Sequence, residues 1–160
     1  MTWITEALDQ QKRNAEQAAS QMNNVLALKE KLNQQMPSAW DQIADAIEGD
    51  AQQLNAAGGH WVVERGTTMI QVHAENEIAA LFTLQVDPTN GTLHYNCPVP
   101  AGRPGVPLIG TFQIRVGTAE AHIVGKQYPN GRGPIVQFKP SQVSQFLFSA
   151  TLFPKNAPTF

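Results

Sequence analysis

The chain reads as an α+β protein: two N-terminal helices, one long and one shorter, an antiparallel β meander of about five to seven strands, and a C-terminal helix, with the helices packed on one face of the sheet. Three observations carry this reading. Apolar residues recur every three or four positions before Gly58-Gly59 and every two positions after it. Composition changes at the same point: residues 1–58 hold one proline, no histidine and eleven alanines, whereas residues 59–160 hold ten prolines and all four histidines. Most links between the β-type segments are too short to contain a crossover helix, which leaves antiparallel pairing. A length of 160 residues suits a single domain, 1–160, made of a helical part (1–58) and a sheet with its C-terminal helix (59–160).

The first helix is predicted from about residue 4 to residue 35. Ile4, Leu8, Gln11, Ala15, Ala18, Met22, Val25, Lys29, Leu32 and Met36 follow a 4-3 spacing that aligns them in one stripe. Such a helix is roughly 48 Å long, longer than the ~34 Å diameter of a β domain of about 100 residues. The overhang predicts pairing with another copy or another chain, unless Asn23-Asn24 breaks the helix and both pieces lie on the sheet. Met36-Pro37-Ser38 predicts a stop, because proline disfavours helical geometry in the preceding residue and Ser38 suits an N-cap. The second helix then carries Trp40, Ile43, Ala44, Ile47, Ala51 and Leu54 on one face and ends before Gly58-Gly59.

Strands are predicted over 69–74, 80–86, 92–97, 111–116 and 120–124, with shorter candidates over 61–64 and 135–138. Asp87-Pro88-Thr89-Asn90-Gly91 marks a hairpin, since Asn-Gly supplies the positive φ of a tight turn. Two long loops are expected, 98–107 with four prolines and 125–134. Lys139-Pro140-Ser141 opens the C-terminal helix, where Val143, Phe146, Leu147 and Ala150 keep helical spacing. Ile70, Val72, Ala74, Phe82, Leu84, Val86, Leu93, Tyr95, Cys97, Phe112, Ile114 and Val116 fall on one strand face, and Trp40, Ile43, Ile47, Phe146 and Leu147 are the side chains expected to cover it.

Charge and composition exclude several functions. The net charge of −2 divides into −4 over 1–58 and +2 over 59–160, too little clustered Lys and Arg for sequence-independent nucleic-acid binding. No run approaches the ~20 apolar residues of a membrane span, and the N-terminus has an acidic residue where a signal peptide is basic. The lone Cys97 leaves no partner for an intrachain disulfide. Together these features predict a cytoplasmic protein with no nucleic-acid or membrane partner.

No catalytic constellation emerges. His94 and Cys97 are an odd number of residues apart, which sends them to opposite faces of a strand. His73, His94 and His122 fall on alternate strands about 9.6 Å apart, a long reach for convergence at ~2.1 Å on zinc, so no metal and no cofactor is expected. The polar strand face carries His73, His94, Gln113 and Arg115, an amide and imidazole surface suited to a partner or a small molecule. Arg103, Lys126, Tyr128 and Arg132 lie in the two expected loops, where they would meet an acidic partner. The function expected is therefore a non-catalytic binding or adaptor role, dimeric or joined to another protein through the N-terminal helices. A small-molecule binder or small enzyme using the polar face, and a phage-type or structural assembly subunit, are the alternatives.

Overall fold

A computed structural model describes residues 2–98, 105–154 and 160, apart from the side chain of Asn130. Helix α1 runs from Trp3 to Ala56 without interruption, with Pro37 inside it. Seven strands follow: β1 (Trp61–Arg65), β2 (Met69–Ala74), β3 (Ala80–Val86), β4 (Thr92–Cys97), β5 (Leu108–Arg115), β6 (His122–Tyr128) and β7 (Arg132–Phe138). A short 3-10 turn, Pro129–Gly131, joins the last two, and α2 (Pro140–Leu152) closes the order. The strands form one sheet in the order β1-β2-β3-β4-β5-β6-β7, every neighbouring pair antiparallel. Among the described residues no helix is long and apolar enough to cross a membrane.

The two expected N-terminal helices are one, so the described residues form two α-helices rather than three. Pro37 removes one helical hydrogen bond, at a typical cost of about 3 kcal/mol. The chain nevertheless continues as helix because both flanks are held by the rest of the fold. Leu32 lies buried ahead of the proline, and Ala39, Trp40, Ile43, Ala44 and Ile47 lie buried after it. Gln35 donates from Nε2 to the Gly117 carbonyl and accepts from the Gly117 N–H, both at 3.0 Å. Ser38 therefore caps nothing, and Asn23-Asn24 passes through the helix unbroken. The helix does end where the glycines predict: Gly58 takes φ 105°, and the Gly59 N–H donates to the Leu54 carbonyl at 2.9 Å.

The expected loop over 125–134 is likewise corrected. β6 extends to Tyr128, turns through Pro129–Gly131 and returns as β7, so that most of this segment is paired sheet. Positive φ at Gly131 (76°) and Gly133 (84°) makes the tight return feasible. The strand expected over 111–116 begins earlier, at Leu108, and the one expected over 120–124 begins at His122.

The core lies between the inner sheet face and the helices. Helix α2 is buried on nearly every side from Val143 to Thr151 because the sheet covers one face and α1 another. Ser144 binds it to α1 by donating to Asp50 Oδ2 at 2.7 Å. Phe146 is the centre of an aromatic cluster, with ring centroids 5.2–5.8 Å from Phe112, Tyr95, Phe138 and Phe160. Two strand glycines leave room for these rings. A Cβ on Gly110 would collide with the Tyr95 ring, and one on Gly125 would stand 2.6 Å from Phe112 Cδ1.

Candidate functional site

Alternation places His73, His94, Gln113 and Arg115 away from the core, and strand register decides whether they meet. His94 is level with Gln85, and Gln85 with Met69. His73 stands four positions along β2 from Met69, an offset of about 13 Å along the strand, two strands away. Arg115 stands four positions from Thr111, the residue level with His94. The register therefore spreads these residues diagonally across the sheet rather than converging them.

Each has local partners. The His73 side chain, 15% exposed, has Nδ1 2.8 Å from the Ala74 carbonyl and Nε2 3.3 Å from Glu64 Oε1. Two acceptors around one imidazole suit its doubly protonated form, and the Ala74 carbonyl, followed by Glu64, raises the His73 pKa against the opposing effect of desolvation. Gln113 is occupied by the β3–β4 hairpin: it donates to the Asn90 carbonyl at 2.6 Å and accepts from Thr92 Oγ1 at 3.0 Å. In the same hairpin Asp87 accepts from the hydroxyl and the N–H of Thr89, which lowers its pKa. His94 and Arg115 are exposed, and Arg115 is level with His122 on β6. Cys97 is fully buried on the opposite face from His94, and desolvation pushes its thiol up to about 12, which makes it a packing residue.

Lys126, Tyr128 and Arg132 do come together, on the β6–β7 hairpin and not on a mobile loop. Tyr128 is level with Arg132, Lys126 with Ile135, and all four are exposed. The hairpin thus offers two cations, a phenol and an aliphatic side chain on one paired, preorganised element. Arg103 lies outside the described residues. Among the described residues no group of three or more His, Cys, Asp or Glu side chains is placed to hold a metal ion.

One concavity was not foreseen from the sequence. It is a cleft of about 1340 Å³ between one flank of α1 and the β5–β6 connection, extending to the start of α2. Leu28, Lys31 and Gln35 form its helical wall, Val116 and Thr118 face them, and the buried Phe138 lies at its base. The two Gln35–Gly117 bonds tie the walls of the cleft directly to each other and so pin the connection to the helix. Gln35 sits among polar helix residues with no sequence mark of its role. Phe160 was missed as well: it joins the aromatic cluster, and its O accepts from Gln127 Nε2 at 2.6 Å.

The remaining feature is the N-terminal part of α1. Every described residue from 2 to 31 is exposed, so the helix projects roughly 43 Å beyond its first buried residue, Leu32. Large apolar side chains on this arm stand in solvent: Ile4 at 52%, Leu8 at 60%, Met22 at 61%, Val25 at 60% and Leu28 at 58% exposure. Their stripe is continuous with the one that packs on the head, since Leu32, Met36, Ala39, Ile43 and Ile47 extend the same spacing. One half of a single apolar stripe is covered by the fold and the other half is bare. Comparison of the chain with protein-family models, with curated proteins and with solved structures found no match in any of the three.

Proposed function

We propose that this protein is a non-catalytic association module in which the α1 arm joins copies of the chain and the sheet-and-helix head is carried on it. The observation behind this reading is the bare half of the stripe. Helices in proteins draw most of their stability from packing of their apolar face, and the face of this arm has no cover among the described residues of its own chain. Seven large apolar side chains on the arm, Trp3, Ile4, Leu8, Met22, Val25, Leu26 and Leu28, are exposed. At roughly 100 Å² each, covering them buries about 700 Å² per copy, near the roughly 800 Å² per partner of a standard interface. The buried, solitary Cys97 supports placing the protein in a reducing compartment such as the cytoplasm.

The full chain should sediment as an oligomer whose population rises with concentration. Leu8→Glu with Val25→Glu, which places charge on the stripe without touching the head, should leave a monomer whose thermal unfolding keeps the cooperativity of the head. A wild-type chain that remains monomeric across the concentration range would overturn the reading.

A further inference from the structure

The cleft beside α1 and the exposed N-terminus of the same helix fit one another across two copies. Resting on the arm-pairing reading, we propose that the cleft is a docking site for the N-terminal segment of a second copy, whose arm runs antiparallel and seats Trp3 between the helix wall and the β5–β6 connection.

Sterics select the direction. Beyond Leu32 the stripe of α1 is covered by its own head, so parallel arms in register would bring the two heads together at one end, whereas antiparallel arms set them at opposite ends. An antiparallel arm ends with residues 2 and 3 level with residues 31 and 30 of the second copy, at the outer end of the cleft. Register selects the overlap. In antiparallel coiled coils the two core positions of the repeat face each other across the seam. Pairing Leu8 with Val25, Gln11 with Met22 and Ala15 with Ala18 of the second copy satisfies this along the whole arm. That register sets residues 2 and 3 beside residues 31 and 30 of the partner copy, so the bare arms overlap over nearly their full length. Ala15 and Ala18 lie about the two-fold axis, where small side chains allow close approach of the backbones.

The flank selects the seat. Leu28, Lys31 and Gln35 form the helical wall of the cleft. Trp3 lies on the same side of the stripe as these residues, and antiparallel pairing brings like flank to like flank. The indole, 76% exposed in one chain, then reaches a cleft with an apolar base and polar rim. This combination suits an amphipathic ring. The cleft volume of about 1340 Å³ is ample for the indole ring.

Cross-linking in the full chain tests the seat. One preparation carries Thr2→Cys and another Thr118→Cys, and Cys97 is buried. After mixing and subunit exchange, a short thiol cross-linker should join the Thr2→Cys chain to the Thr118→Cys chain in preference to two chains of one kind. Trp3→Ala should weaken association about tenfold or more while leaving the urea midpoint of the head unchanged. Preferential joining of two Thr2→Cys chains would mean parallel pairing and overturn the inference while leaving arm-mediated association intact. Association without either cross-link, or an unaltered affinity in Trp3→Ala, would overturn the seat alone. Monomeric sedimentation would overturn both readings.

Discussion

The continuity of α1 through Pro37 can be tested by the signs of two neighbouring substitutions. If the helix is unbroken, Pro37→Ala restores an N–H for the Asn33 carbonyl and removes the ring clash at an exposed position. Alanine is about 3 kcal/mol more favourable than proline in a helix interior, and the added freedom of the unfolded chain returns about 0.4–1 kcal/mol. The net gain is about 2 kcal/mol, which for a chain of this size raises Tm by about 4–8 °C. Ser38→Ala removes only an exposed hydrogen bond from Gln42 Nε2 at 3.3 Å. Its loss of a few tenths of a kcal/mol is offset by the better helix propensity of alanine, so stability should hardly change. A chain that stopped at Met36 and restarted at Ser38 would respond oppositely. Proline would then occupy a favourable position outside the helix, and loss of the serine cap would cost about 0.5–2 kcal/mol. Urea denaturation followed by far-UV circular dichroism measures both variants. Destabilisation by Pro37→Ala together with a loss of 1 kcal/mol or more in Ser38→Ala would refute the continuous helix.

Phe146→Ala should destabilise the protein by about 3–5 kcal/mol, because the ring is 2% exposed and meets four others; a shift in the urea midpoint worth less than about 1 kcal/mol would place it outside the core. His73 should titrate above its ordinary value, the Ala74 carbonyl being the first cause and Glu64 a further one. Since the folded-state value is raised, the stabilisation is fully present below the unfolded pKa of about 6.5 and is lost as pH rises through the folded midpoint. An NMR titration of the ring reads this directly. Glu64→Gln should lower the midpoint only part of the way, and a wild-type midpoint at or below about 6.5 would refute the assignment.

Much of the fold was legible because its signals are local. Period-two alternation identifies Ile70, Val72, Ala74, Phe82, Leu84, Val86, Leu93, Tyr95, Cys97, Phe112, Ile114 and Val116 as inner-face residues, and all are buried except Ala74 and Val116 near the strand ends, which are half-buried. Asn90-Gly91 marks the β3–β4 turn, where Gly91 takes φ 74°, and Lys139-Pro140 marks the start of α2. The candidate site was less legible. Alternation states which face His73, His94 and Arg115 occupy, but their mutual distance depends on strand offsets, which no single strand encodes. Lys126, Tyr128 and Arg132 read as loop residues because Pro129, Gly131, Gly133 and Pro134 are turn formers, yet together they make one hairpin with its turn.

The sequence by itself therefore determined the periods, the faces and most of the punctuation: a helical half, a β half, the glycine stop between them and the apolar stripe of the arm. Tertiary structure decided how the stripe is used. Pro37 is a local stop signal worth about 3 kcal/mol, and it is overridden because Leu32 on one side and Trp40, Ile43 and Ile47 on the other are buried by a head built from distant strands. Each of those large side chains contributes roughly 1.5–3 kcal/mol, a collective term that exists only once the chain has folded. The same packing covers the stripe from Leu32 onward and leaves residues 3–31 bare.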